Sequence, residues 1–146
     1  MSYENPWLYE NQIAESNLID KYYGFVYNIT NMQNNRKYIG KKLFWSSRTR
    51  IVNKKKKKHK VESDWKNYYG SSEELKADII KYGKLNFKRD ILQLCVSKGE
   101  CNYFEAKYQF SERVLESDDY YNSWISCKIH KNHVKMLHDV DKKDKA

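Results

Sequence analysis

From Gly24 to Thr30 the chain runs through β-branched and aromatic residues, Asn31 to Asn35 is a polar stretch rich in a residue that tolerates positive φ, and Arg36 to Gly40 returns to extended-favouring types. This pattern predicts a β-hairpin. If its pairing is symmetric about Met32 and Gln33, Tyr27 stands directly opposite Tyr38 and both phenols point to one face of the ladder. Further on, Ser71-x-x-Glu74 reads as a capping box, with Leu75, Ile79 and Tyr82 at helical spacing and Gly83 placed to end the helix. Asn86 to Cys95 alternates and then turns apolar, which predicts a third strand burying Phe87, Ile91, Leu92 and Leu94. A second capping box, Ser97-x-x-Glu100, opens the longest predicted helix, running to about Leu115. The expected class is α+β, a small three-stranded antiparallel sheet flanked by helices.

Ahead of the hairpin, the first twenty or so residues are acidic and polar with an aromatic insert at Trp7, Leu8 and Tyr9, expected to pack as an arm on the main body. A length of 146 residues is one domain by the usual size prior. No run approaches the roughly 18 apolar residues of a membrane-spanning helix, and Glu4, Pro6 and Glu10 break the basic-then-apolar layout of a signal peptide, so a cytoplasmic location is expected. Cys95, Cys101 and Cys127 are odd in number and lack CxxC spacing, so they read as reduced packing thiols. His130 and His133 sit in a Lys-rich tail without a metal-ligand pattern, and are expected to be solvated.

Charge changes the picture. Between Lys21 and Val61 there are thirteen Lys and Arg residues and no carboxylate, leaving 15 basic against 19 acidic residues elsewhere in a chain of net charge +9. A field segregated in this way suits a phosphate backbone, where each neutralised phosphate releases a condensed counterion. A solvated loop or a nuclear import signal at Lys54 to Lys60 is the competing reading. Five adjacent lysines, Lys54 to Lys58, repel one another and predict a mobile excursion in the absence of a partner.

On the last predicted helix, Cys101, Phe104, Glu105 and Tyr108 fall on one stripe because offsets of three, four and seven return to the same face. A carboxylate on a face meant for burial costs several kcal/mol unless it is paired or holds a cation. The alternatives for Glu105 are a structural ion pair and a functional site.

The residues Phe25-Val26-Tyr27, Tyr38-Ile39-Gly40, Arg48, Glu105 and Asn122 occur in the order and at spacings that resemble the GIY-YIG nucleases. Two segments, 62–72 and 117–125, are similar to the Seg-type phage homing endonucleases in particular. The resemblance runs from about Tyr22 to Ile129 and implies a nuclease domain over 22–129 with a basic insertion at about 49–61, an arm at 1–21 and a basic tail at 130–146. It implies that Glu105 holds a single Mg²⁺ or Mn²⁺ ion and that Arg48, on a helix, clamps the scissile phosphate. Tyr27 would accept the proton of the attacking water with Tyr38 beside it. The partner is double-stranded DNA, contacted by Lys41, Lys42, Arg50, Lys54, Lys55, Lys56, Lys57, Lys58, Lys60 and Asn122, with no membrane and no protein partner implied. The activity so implied is metal-dependent DNA endonuclease action by a phage-encoded homing-type or stand-alone enzyme, acting in the cytoplasm of the bacterial host if phage-encoded.

Two positions depart from the pattern: Phe25 stands where the first motif has glycine, with Gly24 one place earlier, and Val52 stands where some members have histidine, leaving His59 as the nearest alternative base. For a phenol of reference pKa about 10 to act as a base near pH 7, roughly 4 kcal/mol of phenolate stabilisation is needed, which Lys41, Lys42, Arg48 and the metal are expected to supply together. A non-catalytic nucleic-acid-binding protein on a degenerate nuclease domain, or a restriction or repair endonuclease on the same fold, would share the basic field.

Overall fold

A computed structural model of the chain describes residues 3–126 and 131. The predicted hairpin forms from β3 (Gly24–Asn31) and β4 (Lys37–Leu43), preceded by two short strands, β1 (Leu8–Tyr9) and β2 (Gln12–Ile13). Strand β3 pairs antiparallel with β4 on one side and with the predicted third strand, β7 (Phe87–Cys95), on the other. Buried on both faces, β3 reads as a nearly continuous apolar run, as a central strand should.

The sheet is larger than the expected three strands. The N-terminal arm contributes β1, parallel to β7, and β2, antiparallel to β1, giving the order β2-β1-β7-β3-β4. Two-residue strands carry too little alternation to be read from sequence. A second, two-stranded sheet pairs β5 (Trp45–Val52) with β6 (Lys55–Glu62), so the lysine run expected to be a mobile excursion is the return strand of a ribbon. Its turn is only two residues long, Asn53 and Lys54, both at positive φ (51° and 63°), the geometry that matches the twist of a tight hairpin.

The register of β3 with β4 also differs from expectation. Tyr27 faces Gly40 and Tyr38 faces Ile29, a slip of two residues. The loop is longer because Asn31 closes it: its N–H donates to Arg36 O (2.8 Å) and its Oδ1 accepts from the Gln33 N–H (2.9 Å). Since side chains alternate with period two, the slip leaves both phenols on the same face.

That face packs against the arm, the Trp65 turn and α1 (Glu73–Tyr82), while α2 (Lys98–Ser111) covers the other with Val26, Ile39, Cys101 and Val114. A bulge in β7, where Val26 pairs with Gln93 but Tyr27 with Ile91, lets Ile91 and Leu94 both reach the larger core. Helix α1 starts one residue later than the predicted box. Ser72, not Ser71, accepts from the Leu75 N–H, and Gly83 at φ 87° ends the helix as expected. Ser97 caps α2 by accepting from the Glu100 N–H, but α2 stops at Ser111, short of Leu115, because Arg113 turns left-handed at φ 54°.

Two buried side chains tie the arm down. The Trp7 indole N–H donates to Trp65 O (2.6 Å), and Arg89, 1% exposed, lies between the Trp7 and Tyr69 rings and donates to Asn5 O and Tyr68 O. Trp7→Ala is expected to cost about 3–5 kcal/mol in equilibrium urea unfolding. A loss below about 1 kcal/mol would show that the arm is not integral to the core. Cys95 and Cys101 are buried free thiols, whereas Cys127, His130 and His133 lie outside the described residues. Among those residues no helix is long and apolar enough to cross a membrane.

Candidate active site

Strand β4 ends the sheet order, so alternate main-chain groups along its outer edge lack a strand partner. The segment after α2 satisfies them. Lys37 N–H donates to Asp119 O and Tyr121 N–H to Lys37 O, while at Ile39 the Asn122 side chain accepts from the N–H (3.0 Å) and donates to the C=O (2.8 Å). Gln109 Nε2 also donates to Ile39 O (2.9 Å). The next free donor on that edge, the Lys41 N–H, faces the Glu105 carboxylate. Asn122 is therefore a fastener of the edge strand, its amide bonded to the main chain of Ile39.

On the adjoining side of β4 the two phenols meet, Tyr27 and Tyr38, with ring centroids 6.1 Å apart. Tyr68 stands edge-on to Tyr27 at 6.0 Å, and the Tyr38 hydroxyl hydrogen-bonds Ser71 Oγ at 3.0 Å. Gly40 is required by close approach, because a Cβ there would lie 2.5 Å from the Tyr27 oxygen. Tyr27, Tyr38, Lys41, Glu105 and Asn122 thus line one cleft of about 710 Å³, together with Tyr68, Ser71, Gln109 and the exposed Trp124. A larger hollow of about 880 Å³, beneath the β3–β4 turn, holds the Arg113–Glu116 ion pair and none of the expected catalytic side chains.

Burial dominates the electrostatics of the cleft. Burial holds the Tyr27 phenol well above its ordinary pKa, with Tyr68, Tyr38 and Glu105 adding to the shift. Burial raises Tyr38 as well, against a hydrogen bond from Ser71 that lowers it. The expected cations do not reach these oxygens. Lys42 is tied to Asp64 at 2.7 Å and lies over the Tyr68 ring, Lys41 Nζ donates to Asn102 Oδ1, and Arg48 is elsewhere. Without a bound metal, burial thus favours the protonated form of Tyr27, and Lys42 is held in an ion pair with Asp64. Burial also pushes the Glu105 carboxyl above the usual carboxylate range, partly offset by the charge of Lys41. Among the described residues it forms no salt bridge, so the structural ion pair considered for it is not present there.

Arg48 is the largest departure. It is on β5, not on a helix, exposed and opposite His59, and it does not line the cleft. Arg50, Lys54, Lys55, Lys56, Lys57, Lys58 and Lys60 share the same ribbon and are all exposed. His59 belongs to it too, away from the cleft, which removes it as a base. Sequence reasoning missed Tyr68, Ser71 and Gln109. Extending the Glu105 stripe by one helical turn would have found Gln109, which is 4% exposed with its Oε1 unpartnered; Tyr68 and Ser71 lie inside the 62–72 segment already singled out for its resemblance, which marked the segment but not these side chains.

Against known proteins, a family profile described as "Putative endonuclease segE, GIY-YIG domain" matches residues 7–125. The "Putative endonuclease segE" of Enterobacteria phage T4 is 31% identical over 100 residues, covering 68% of this chain and 40% of that protein. The chain thus spans about two fifths of the length of that relative. No solved structure matches it.

Proposed function

The chain belongs to the SegE-type GIY-YIG endonuclease family, and from that premise we propose that it hydrolyses phosphodiester bonds in double-stranded DNA with a divalent metal ion, as a homing-type or stand-alone phage nuclease. The observation that carries this reading is Glu105: a half-buried carboxylate, disfavoured as an anion by burial, facing a cleft with no salt bridge among the described residues. Those residues contain no cluster of three or more His, Cys, Asp or Glu side chains. One carboxylate fits a hard cation such as Mg²⁺ or Mn²⁺ that takes its remaining oxygen ligands from water and phosphate. Bound there, the ion would supply Lewis-acid polarisation of a phosphoryl oxygen and compensation for charge on the leaving group.

The rest of the work falls to the protein's own groups. Lys41, the one cation among the described residues of the cleft wall, draws the phosphate in and sets its distance from Glu105. The protonated Tyr27 and Tyr38 hydroxyls donate hydrogen bonds to phosphoryl oxygens or to the attacking water, and burial raises both phenols further above their ordinary range. Ser71 holds the Tyr38 hydroxyl in place, while Asn122 and Gln109, by anchoring Ile39, keep the main chain between Tyr38 and Gly40 from moving.

Supercoiled plasmid is the substrate that tests the proposal. Conversion to open-circular or linear DNA is expected with Mg²⁺ or Mn²⁺ and none with EDTA. Shifted electrophoretic mobility without strand scission under either metal would identify a binding protein on a disabled nuclease domain.

A further inference from the structure

We infer that the β5–β6 ribbon is a duplex-reading arm that enters the major groove of B-form DNA and depends on that polyanion for its stability. The inference rests on the nuclease reading for the identity of its ligand and adds which element recognises it. Each strand has eight residues, so at about 3.3 Å per residue the ribbon is roughly 26 Å long. Outside its root every residue except the half-buried Val52 and His59 is solvent-exposed, and the ribbon forms a sheet of its own. A lone two-stranded ribbon is marginal in water, and this one places like charges face to face, Arg50 opposite Lys57, with no carboxylate before Glu62 at its root. Among the described residues none of Arg48 to Lys60 makes a salt bridge. The ribbon therefore offers positive charge that no residue described in the fold neutralises.

The dimensions choose the groove. A two-stranded ribbon enters a major groove about 12 Å wide and is too broad for a minor groove of about 6 Å; the deep, narrow major groove of A-form RNA excludes it. Alternation puts Arg48, Arg50, Lys55, Lys57 and His59 on one face, where the planar arginine forks match the acceptor edge of guanine. At the root, Ser63 Oγ donates to Leu43 O (2.6 Å), Ser63 N–H to Phe44 O (2.8 Å), and Phe44 packs on Trp65 with ring centroids 4.9 Å apart. Lys41 and Trp45 are four residues apart along the same backbone, so cleft and arm are held at a set offset and the cut falls at a constant distance from the read step.

The test is fluorescence anisotropy in EDTA with a 30-bp DNA duplex and the RNA duplex of the same sequence. For the wild type, the major-groove ligand methyl green is expected to displace binding and the minor-groove ligand netropsin is not, with the RNA duplex bound at least about tenfold more weakly. The triple variant Arg48→Ala/Arg50→Ala/Lys57→Ala, which leaves the backbone pairing of the ribbon intact, is expected to lose at least about tenfold in affinity for DNA and to show a shallower salt slope. Competition by netropsin, equal affinity for RNA, or a variant that binds as the wild type does would overturn the arm while leaving plasmid nicking, and hence the nuclease reading, untouched. A wild type that nicks nothing but shows the groove preference would sink the nuclease reading and keep the arm.

Discussion

Glu105→Gln is expected to abolish metal-dependent nicking while leaving duplex binding within about threefold and raising the melting temperature of the metal-free protein. Removing the sole proposed protein ligand removes several kcal/mol of charge stabilisation from the reaction, about three powers of ten or more in rate. Burial raises the folded-state pKa of Glu105 above its ordinary value, so the fold favours the protonated form. That contribution is fully present below the ordinary carboxylate range of about 4.3 and is lost as pH rises through the folded-state value. At pH 7 the anion is thus a cost, only partly offset by Lys41, which an isosteric neutral amide removes. Thermal unfolding in EDTA at pH 7 checks this, and Mg²⁺ or Mn²⁺ should then raise the melting temperature of the wild type but not of the variant. Metal-dependent nicking by Glu105→Gln would refute the assignment, and a lower melting temperature in EDTA would mean the carboxylate has a stabilising partner.

Gly40→Ala is expected to cut the nicking rate by about a hundredfold and to cost about 1–3 kcal/mol in urea unfolding. The added Cβ would stand 2.5 Å from the Tyr27 oxygen and 2.7 Å from its Cζ, distances that real side chains do not tolerate. Tyr27 has no room to yield, with Trp7 at 5.1 Å and Tyr68 at 6.0 Å between ring centroids. Overpacking of a dense site carries a penalty of that size, and a shift of about 1 Å in a positioning group costs about two powers of ten in rate. Wild-type nicking by Gly40→Ala would show that the phenol's position is irrelevant to the reaction. The glycine of the second motif thus has a steric reason, which the strand register alone makes visible: Gly40, not Tyr38, is the residue directly opposite Tyr27.

Much of this site was already legible along the chain. Both helices announced themselves through serine caps and apolar spacing, and Glu105 stood out as a carboxylate on a stripe meant for burial. The shared face of Tyr27 and Tyr38 survived a two-residue error in register because alternation depends on parity, which a slip of two conserves. These features are written in near neighbours, and near neighbours are what periodicity samples.

The errors have a common origin. The sequence crowds thirteen cations into one segment, and adjacency along the chain suggested that they would bathe the phenols in positive charge. In space, Arg48 and the lysine run leave on the β5–β6 ribbon, Lys42 pairs with Asp64, and desolvation raises the Tyr27 phenol. Desolvation depends on what packs from far away, here Trp7 and Tyr68, and no local pattern encodes it. Asn122 likewise acquires its task only because β4 is an edge strand whose open main-chain groups need partners. The amino-acid order by itself determined which segments become helix and strand and which side chains share a face, since those follow from rotation and alternation per residue. Which groups become neighbours, which are stripped of water and which charges remain unpaired was decided by the tertiary structure alone, because dielectric environment and contact are properties of packed elements and not of intervals along the chain.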